Sequence, residues 1–281
     1  MKCAWEAYLG ILPPQLRTDV DILGRDKLKE LRLRVGFPAE LVLKDQNVRL
    51  RGAVLAHDIQ YVIQAASKYS AWAAATSSSG YLTAPGGHRI GICGEVVAEG
   101  GRMRGIRKPS SLCIRVARQF PELAYGADEF KGSVLIIGPP GSGKTTLLRE
   151  WVRHRSEKGP GSISVVDERG ELFPMIDGVS CFDAGCRTDI ISGCSKADGI
   201  ACVLRAMTPT CIAVDEITSE EDCEALVHSM WSGVELMATA HAACPEDLYR
   251  REIYRKLIGA GMFRTLIVMD PEQHWYTERM R

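Results

Sequence analysis

The sequence predicts two domains of different fold class: a smaller α+β domain over residues 1–125, and an α/β domain with a mostly parallel sheet over residues 126–281. The chain has 281 residues, which is more than a single domain usually contains. Short strand-like runs alternate with turn residues in its first part, whereas continuous apolar runs alternate with helical stretches in its second part. Such continuous apolar runs are typical of strands buried on both faces, as in parallel sheets with crossover helices.

The N-terminal domain is expected to combine short strands with one amphipathic helix. Strands are predicted at residues 30–35, 40–43, 48–55 and 112–116, with a hairpin that begins at Gly86 and Gly87 and continues through residues 89–97. Asp58 is expected to cap a helix that runs to about Thr76, because apolar residues recur on one stripe after it.

The second domain is expected to contain five buried strands. They are predicted at residues 133–137, 163–166, 211–214, 236–240 and 265–269. Helical stretches separate them, and the clearest follows the first strand at residues 145–155. This alternation predicts the parallel sheet.

The composition is that of a folded, water-soluble protein. Hydrophobic residues make up 46% and charged residues 25% of the chain, which excludes intrinsic disorder as the main description. No apolar run is suited to crossing a membrane, and no secretory signal is visible. Ten cysteines without such a signal indicate reduced thiols in a cytoplasmic protein, and the lack of a CxxC pair argues against a zinc site.

The charges are balanced over the whole chain but not along it. Lys+Arg and Asp+Glu both number 35, so the net charge gives no argument for binding nucleic acid or membrane. Residues 1–125 contain 18 basic and 11 acidic residues, and residues 126–281 contain 17 and 24. Either these are two solvated faces, or the basic domain lies against the acidic domain of its own or a neighbouring subunit, near bound phosphates.

The strongest motif is a phosphate-binding loop between a predicted strand and a predicted helix. It matches the pattern G-x-x-x-x-G-K-[ST] in full. Its residues are Gly138, Pro139, Pro140, Gly141, Ser142, Gly143, Lys144 and Thr145, followed by Thr146. Lys144 is expected to reach the β- and γ-phosphates of a nucleotide, and the Thr145 hydroxyl to bind Mg²⁺. The motif predicts an α/β P-loop NTPase of the RecA/AAA type.

Acidic residues follow two other predicted strands. Asp215 is expected to bind the metal, and Glu216 to polarise the attacking water as general base. Asp167 and Glu168 follow a strand in the same way and are the alternative pair. His241 ends a further strand, where it either senses the γ-phosphate or has a structural role.

Elimination favours ATP as the nucleotide. GTPases of the Ras type recognise guanine with an Asn-Lys-x-Asp motif, but the only asparagine here, Asn47, lies outside the nucleotide domain. No LSGGQ-like signature indicates a transport-cassette ATPase. Nothing in the sequence identifies the residues that recognise adenine.

Taken in order, these motifs resemble the stage III sporulation protein AA family, a relative of the hexameric type II and type IV secretion ATPases. The most specific stretches are LRLRVGFP at 31–38, GGHRIG at 86–91, SSLCIRVAR at 110–118, VVDER at 165–169, RTD at 187–189 and GCSKA at 193–197. The chain departs from the family pattern at Gly170, at Lys108-Pro109, and at Ile217-Thr218-Ser219, where a glycine-containing turn is expected.

The resemblance implies an ATPase that acts with Mg²⁺ during endospore formation. It would form a homo-oligomeric, hexameric ring, peripheral to a membrane-embedded channel complex on the mother-cell side of the forespore membrane. By the same resemblance, Asp167–Glu168 match the acidic box, Asp215–Glu216 the Walker B acids and His241 the histidine box. Candidates for an N-domain arginine that approaches the phosphates are Arg89, Arg107 and Arg115.

Three alternatives remain open. The protein could be a nucleotide-gated scaffold that binds ATP with little hydrolysis, or a small-molecule phosphotransferase. It could also be a nucleic-acid-dependent ATPase that uses the basic run 102–118. Against nucleic acid, this run contains no aromatic residue until Phe120, whereas proteins that bind single strands usually place aromatic among basic side chains.

Overall fold

A computed structural model describes residues 1–67 and 80–280 of the chain. Backbone contacts divide it into an N-terminal unit, Met1–Gln119 with Pro174–Phe182, and a second unit, Phe120–Phe173 with Asp183–Arg281. Residues 174–182 therefore group with the N-terminal unit, although they lie within the segment 126–281. The division of the domains at residue 125 stays a prediction.

The N-terminal unit is built on a six-stranded antiparallel sheet with the order β3-β2-β1-β6-β5-β4. Its strands are β1 (Leu28–Arg34), β2 (Glu40–Leu43), β3 (Asn47–Arg49), β4 (Tyr81–Ala84), β5 (His88–Glu99) and β6 (Arg102–Arg115). Side chains alternate between the two faces, so Leu31 and Leu33 are fully buried while Arg32 lies on the polar face between them.

Three helices share one core with the apolar face of this sheet. They are α1 (Trp5–Gly10), α2 (Pro14–Leu23) and α3 (Ala56–Ser67). Tyr8, Val20 and Ile59, one from each helix, are fully buried in this core. The arrangement is the mixed α+β domain that the sequence predicts.

Several boundaries differ from the predicted ones. The strand expected at 48–55 ends at Arg49, because Gly52 adopts a left-handed turn with φ +85°. Asp58 lies inside the first turn of α3 instead of before it, and its carboxylate accepts the N–H of Leu55 at 2.8 Å. The predicted continuation of this helix to Thr76 lies outside the described residues.

Helices α1 and α2 were not predicted from the sequence. Pro13 and Pro14 interrupt the apolar run there, but the structure shows Pro14 as the first residue of α2. Proline fits this position because the first N–H of a helix has no intrahelical acceptor.

A two-stranded hairpin completes the N-terminal unit. Strands β9 (Met175–Ile176) and β10 (Val179–Ser180) pair antiparallel, and the residues that follow pack on the turn Pro85–Gly87. A Cβ atom at Gly87 would lie 3.2 Å from the Cβ atom of Cys181, and Gly87 has φ +80°. Both the close approach and the backbone conformation favour glycine there.

The second unit contains a seven-stranded sheet with the order β11-β8-β12-β13-β7-β14-β15. All pairs are parallel except the last, β14 with β15. Its strands are β7 (Val134–Ile137), β8 (Ile163–Asp167), β11 (Thr188–Ser192), β12 (Cys211–Ile217), β13 (Glu235–Ala240), β14 (Thr265–Met269) and β15 (Trp275–Arg279). Every residue of β7 and β8 is buried. The five predicted strands are present, and β11 and β15 are added at the two edges.

Five helices connect or flank these strands. They are α4 (Lys144–Lys158), α5 (Lys196–Ala206), α6 (Glu220–Trp231), α7 (Pro245–Arg250) and α8 (Glu252–Gly259). In the part of the chain that the structure describes, no helix is long and apolar enough to cross a membrane. Because β8, β12, β13 and β7 are parallel neighbours, the residues that follow each of them meet at one edge of the sheet.

Candidate functional site

A cavity of about 400 Å³ lies in the second unit at the carboxyl ends of these strands. Its lining includes the phosphate-loop residues Pro140, Gly141, Gly143, Lys144, Thr145 and Thr146, together with Glu171, Asp215, Glu216, Thr239, His241 and Gln273. Thus the structure brings most of the predicted site residues of the second unit together around one space. Asp167 and Glu168, the alternative pair of acids, do not line it.

The phosphate loop leads from β7 into α4. Gly141 and Gly143 have φ +80° and +93°, which favour glycine. A Cβ atom at Gly138 would lie 2.7 Å from the carbonyl oxygen of Met269, so this glycine permits a close approach of backbone. No side chain caps α4, and the N–H groups of its first turn have no intrahelical acceptor. Such an uncapped helix N-terminus at the end of a glycine-rich loop fits a phosphate group.

Lys144 is buried inside this loop. Its Nζ atom donates to the carbonyl oxygens of Gly138 at 2.8 Å and Pro139 at 2.9 Å. Burial lowers the pKa of Lys144, while the negative charges of Asp215 and Glu216 oppose this shift. The Ser142 hydroxyl is also buried and has no hydrogen-bond partner among the described residues. The loop therefore holds a desolvated cation and an unsatisfied polar atom, which fits an anionic ligand.

Asp215 lies next to the loop, and both of its carboxylate oxygens accept hydrogen bonds from hydroxyl groups. Thr145 donates to Oδ2 at 2.8 Å, and Thr239 donates to Oδ1 at 2.6 Å. A hydroxyl and a carboxylate oxygen are ligands that Mg²⁺ accepts in proteins. The donor set of Thr145 and Asp215 therefore fits the predicted metal.

Glu216 adopts an unusual backbone conformation directly after Asp215. Its φ is +54°, and the pairing of β12 with β13 shifts register between Val214 and Ile217. Its N–H donates to the Thr239 hydroxyl at 2.8 Å. A left-handed backbone at a residue other than glycine costs of order 1–3 kcal/mol, and such strain is concentrated at functional sites.

Two side chains hold the carboxylate of Glu216. The Nε2 atom of His241 lies 3.0 Å from Oε1, and Arg169 donates to Oε2 at 3.1 Å. The other ring nitrogen of His241, Nδ1, is buried and has no partner among the described residues. Because a carboxylate only accepts hydrogen bonds, Nε2 is the ring nitrogen that donates to Glu216.

The alternative acids lie beside this cavity and have other partners. Asp167 is buried and accepts the N–H groups of Glu171 at 2.9 Å and Phe173 at 2.8 Å. Burial raises the pKa of Asp167 to about 6, against the opposing effect of backbone hydrogen bonds from Phe173 and Leu172. Glu168 accepts from Lys196 at 2.6 Å. Asp167 therefore shapes the loop after β8, and Glu168 lines a smaller cleft next to the main cavity.

The three candidate arginines belong to the N-terminal unit. Arg89 lies 4.5 Å from the centre of the Tyr81 ring, Arg107 donates to Glu95 at 2.9 Å, and the Nε atom of Arg115 lies 3.5 Å from a carboxylate oxygen of Glu30. Their predicted approach to bound phosphates stays a prediction.

The sequence did not single out Thr239. Its hydroxyl contacts both Asp215 and Glu216, and its side chain is 1% exposed. One signal was present, because Thr239 is the polar residue in the otherwise apolar run 236–240, two residues before His241.

The chain is similar to a family of sporulation proteins. The family model described as "Sporulation stage III, protein AA" matches residues 10–277. Stage III sporulation protein AA of Bacillus subtilis (strain 168) is 36% identical over 260 residues, which cover 88% of this chain and 85% of that protein. A weaker match is the protein SEEDLING PLASTID DEVELOPMENT 1 of Arabidopsis thaliana. It is 30% identical over 146 residues, which cover 21% of that protein.

Solved structures of an ATPase and of a pilus motor have a similar fold. The Legionella pneumophila ATPase DotB superposes with a TM-score of 0.58 at 15% identity, covering 94% of this chain and 79% of that one. The pilus retraction motor PilT with bound ADP gives a TM-score of 0.62 at 15% identity, covering 90% and 76%. This likeness confirms the predicted fold class, a P-loop α/β domain preceded by a smaller α+β domain. The family match and the Bacillus subtilis relative, which agree over most of the chain, show that the protein belongs to the stage III sporulation protein AA family.

Proposed function

We propose that this protein hydrolyses ATP to energise the assembly of, or transport through, a membrane channel complex during endospore formation. The observation that carries the proposal is the geometry of one cavity. There the phosphate loop, the hydroxyl–carboxylate pair of Thr145 and Asp215, and the carboxylate of Glu216 surround a common space. The family supplies the link to sporulation, and the ATPases of similar fold support a motor function.

The phosphate loop would bind the nucleotide. The N–H groups at the start of α4 would donate to phosphate oxygens, and the Lys144 ammonium would hold the β- and γ-phosphates. This ammonium is already desolvated and donates to loop carbonyl oxygens. Its attraction to the phosphates would therefore act in a medium of low dielectric constant, where it is stronger than in water.

Thr145 and Asp215 would hold Mg²⁺. The described residues contain no group of three or more His, Cys, Asp or Glu side chains that could form a cage for a metal. Mg²⁺ is commonly bound by one or two protein oxygens together with substrate phosphates, and it neutralises charge on those phosphates. Thr239 would keep the Asp215 carboxylate oriented through its 2.6 Å hydrogen bond.

Glu216 would act as the general base. Its carboxylate would accept a proton from the attacking water, and His241 and Arg169 would fix its position through its two oxygens. A positioned general base contributes a rate factor of about 10²–10⁴. In this role His241 acts on Glu216, and sensing of the γ-phosphate would follow from the same contact.

Assembly into a hexameric ring is part of the proposal. An arginine of the N-terminal unit, Arg89, Arg107 or Arg115, would then contribute to a nucleotide site. The ring would lie in the cytoplasm, peripheral to membrane-embedded sporulation proteins that form the channel.

A second candidate function is a nucleotide-gated scaffold with little hydrolysis. The observation that favours it is the state of Glu216, whose two carboxylate oxygens are both engaged, by His241 and Arg169. Each of these hydrogen bonds occupies one acceptor site of the carboxylate, which leaves fewer sites for the attacking water.

The test is ATP hydrolysis by the purified chain and its Glu216→Gln variant over a series of protein concentrations, with nucleotide binding measured in parallel. Turnover that rises steeply with concentration and is lost in the variant supports an oligomeric ATPase. Tight binding of Mg·ATP without turnover at any concentration, including with the membrane partners present, favours the scaffold. Equal turnover in the variant would move the role of general base to Glu168.

A further inference from the structure

Lys196 is a buried cation that the proposed chemistry does not use. It begins α5 and is 4% exposed. Its Nζ atom donates to Oε2 of Glu168 at 2.6 Å and lies 3.5 Å from Oδ2 of Asp222. A buried ammonium is costly unless it is paired, and these two carboxylates pair it. Lys196 therefore links the segment after β8 to the start of α6.

Asp222 connects this lysine to the turn that follows Glu216. Its Oδ2 atom accepts the N–H of Thr218 at 2.9 Å and the N–H of Ser219 at 3.1 Å. Ser219 in turn caps α6 and accepts the N–H of Asp222, which completes a reciprocal capping box. These residues occupy the place where a glycine-containing turn is expected from the family pattern. The turn is therefore fixed by a carboxylate whose charge Lys196 balances.

The same turn determines where Glu216 can lie. Glu216 has a left-handed backbone, which persists only where the surroundings hold it. On one side its N–H is bonded to Thr239. On the other side, two residues later, the N–H of Thr218 is bonded to Asp222. Loss of either bond would let the backbone relax and move the carboxylate away from His241 and Arg169.

We infer that Lys196 is a positioning residue for Glu216. It pairs with Asp222 and Glu168 and thereby holds the turn at Thr218 and Ser219, which keeps the Glu216 carboxylate at the edge of the nucleotide cavity. The kinetic part of this inference rests on the proposed ATPase function, whereas the effect on the turn does not.

Amide hydrogen exchange of the free protein tests the effect on the turn without any nucleotide. In Lys196→Met, the amides of Thr218 and Ser219 should exchange about tenfold faster, because Asp222 would be a buried carboxylate without its cation and would be costly to keep in position. Amides of the core strand β14 should keep their rates. The matched control is Lys256→Met, since Lys256 also pairs with two acids of α6, Glu220 and Glu224, but on the exposed surface. It should leave all these rates unchanged.

Steady-state kinetics test the effect on Glu216. Lys196→Met should lower kcat by about 10–100-fold, as is usual for partners of site residues, with KM and the affinity for ATP within about twofold of the wild type. A purely structural lysine would lower the melting temperature and leave kcat per folded molecule unchanged.

Several outcomes would overturn the inference. They are unchanged exchange at Thr218 and Ser219, uniformly faster exchange through β14 as well, or wild-type kcat in folded Lys196→Met. If Lys196→Met does not fold, Glu168→Gln is measured instead, because Glu168 is the more exposed partner of the lysine. Faster exchange at Thr218, by less than the tenfold expected for Lys196→Met, supports the inference. Unchanged exchange overturns it. If the wild type never hydrolyses ATP, the proposed function fails, and the exchange measurement still decides the role of Lys196 in the turn.

Discussion

The Thr239 hydroxyl donates a 2.6 Å hydrogen bond to Oδ1 of Asp215. The same hydroxyl accepts the N–H of Glu216 at 2.8 Å, so one side chain of β13 fixes both acids at the end of β12. Thr239 is 1% exposed, which leaves little access for water to replace either bond. The relative position of the predicted metal ligand and the predicted base thus depends on a third residue.

Thr239→Val should therefore impair both stability and activity. Valine has the same shape but leaves a carboxylate oxygen and an N–H without their buried partner, at a cost of about 1–3 kcal/mol in the free energy of unfolding. We expect urea unfolding to show this loss and ATP turnover to fall about 10–100-fold. Thr239→Ser, which keeps the hydroxyl, is the control and should remain close to the wild type. A valine variant as active as the serine variant would contradict the assigned role.

Lys144→Ala should abolish tight nucleotide binding without destabilising the free protein. The ammonium is desolvated, and its hydrogen bonds are to two carbonyl oxygens that the variant leaves in place. Its removal takes away the main cation for the phosphates but also relieves the cost of a buried charge. The measurements are titration with ATP and thermal unfolding without nucleotide, with Lys158→Ala, at the exposed end of the same helix, as the control. Wild-type affinity in Lys144→Ala would refute the phosphate-loop assignment.

The parts of the site that could be predicted from sequence depend on local patterns. A continuous apolar run predicts each buried strand, and the carboxyl ends of parallel strands meet at one edge, so Asp215, Glu216 and His241 could be placed near the phosphate loop. The family resemblance is confirmed by the family model, which matches residues 10–277, and by the Bacillus subtilis relative.

What could not be predicted depends on tertiary contacts between residues far apart in sequence. Thr239 and Lys196 have roles only because their strand or helix brings them to Glu216 or Asp222, and neither residue type indicates such a partner by itself. The segment 174–182 packs on the turn at Gly87, almost ninety residues earlier, and no periodicity in either stretch shows it. Alternating polarity likewise did not show that β3 ends at Arg49, because the chain turns there through Gly52, which has a left-handed backbone.

His88 should make the N-terminal unit sensitive to mild acid. Its Nδ1 atom accepts the N–H of Ala117 at 3.0 Å, so its Nε2 atom carries the proton and donates to the carbonyl oxygen of Ala4 at 3.0 Å. Burial of this neutral ring lowers the pKa of His88 from 6.5 to about 4. At a pH between these two pKa values, His88 binds a proton in the unfolded chain but not in the folded chain. The contribution to stability is therefore complete above pH 6.5 and is lost as the pH falls toward 4, by about 3 kcal/mol in total.

Urea unfolding of the wild type and His88→Gln between pH 4 and pH 7.5 measures this effect. Glutamine can accept from Ala117 and donate to Ala4 but does not titrate, so the variant should lose less stability than the wild type as the pH falls through this range. Parallel pH profiles of the two proteins would contradict the buried neutral histidine.

Mixed assemblies should show whether an arginine of the N-terminal unit serves the site of a neighbouring subunit. Arg89 and Arg115 lie at facing positions of β5 and β6, so one phosphate group between subunits would be able to accept hydrogen bonds from both guanidinium groups. We expect Arg89→Ala, Arg115→Ala or Arg107→Ala to lose ATP turnover alone and to regain part of it when mixed with inactive Lys144→Ala. Some interfaces in the mixture then combine an intact arginine with an intact phosphate loop. Arg104→Ala, which removes a cation paired with Glu99 on the same hairpin, is the control and should stay active alone. If no mixture regains turnover although the variants form mixed oligomers, each site is complete within one chain and the shared-site arrangement is wrong.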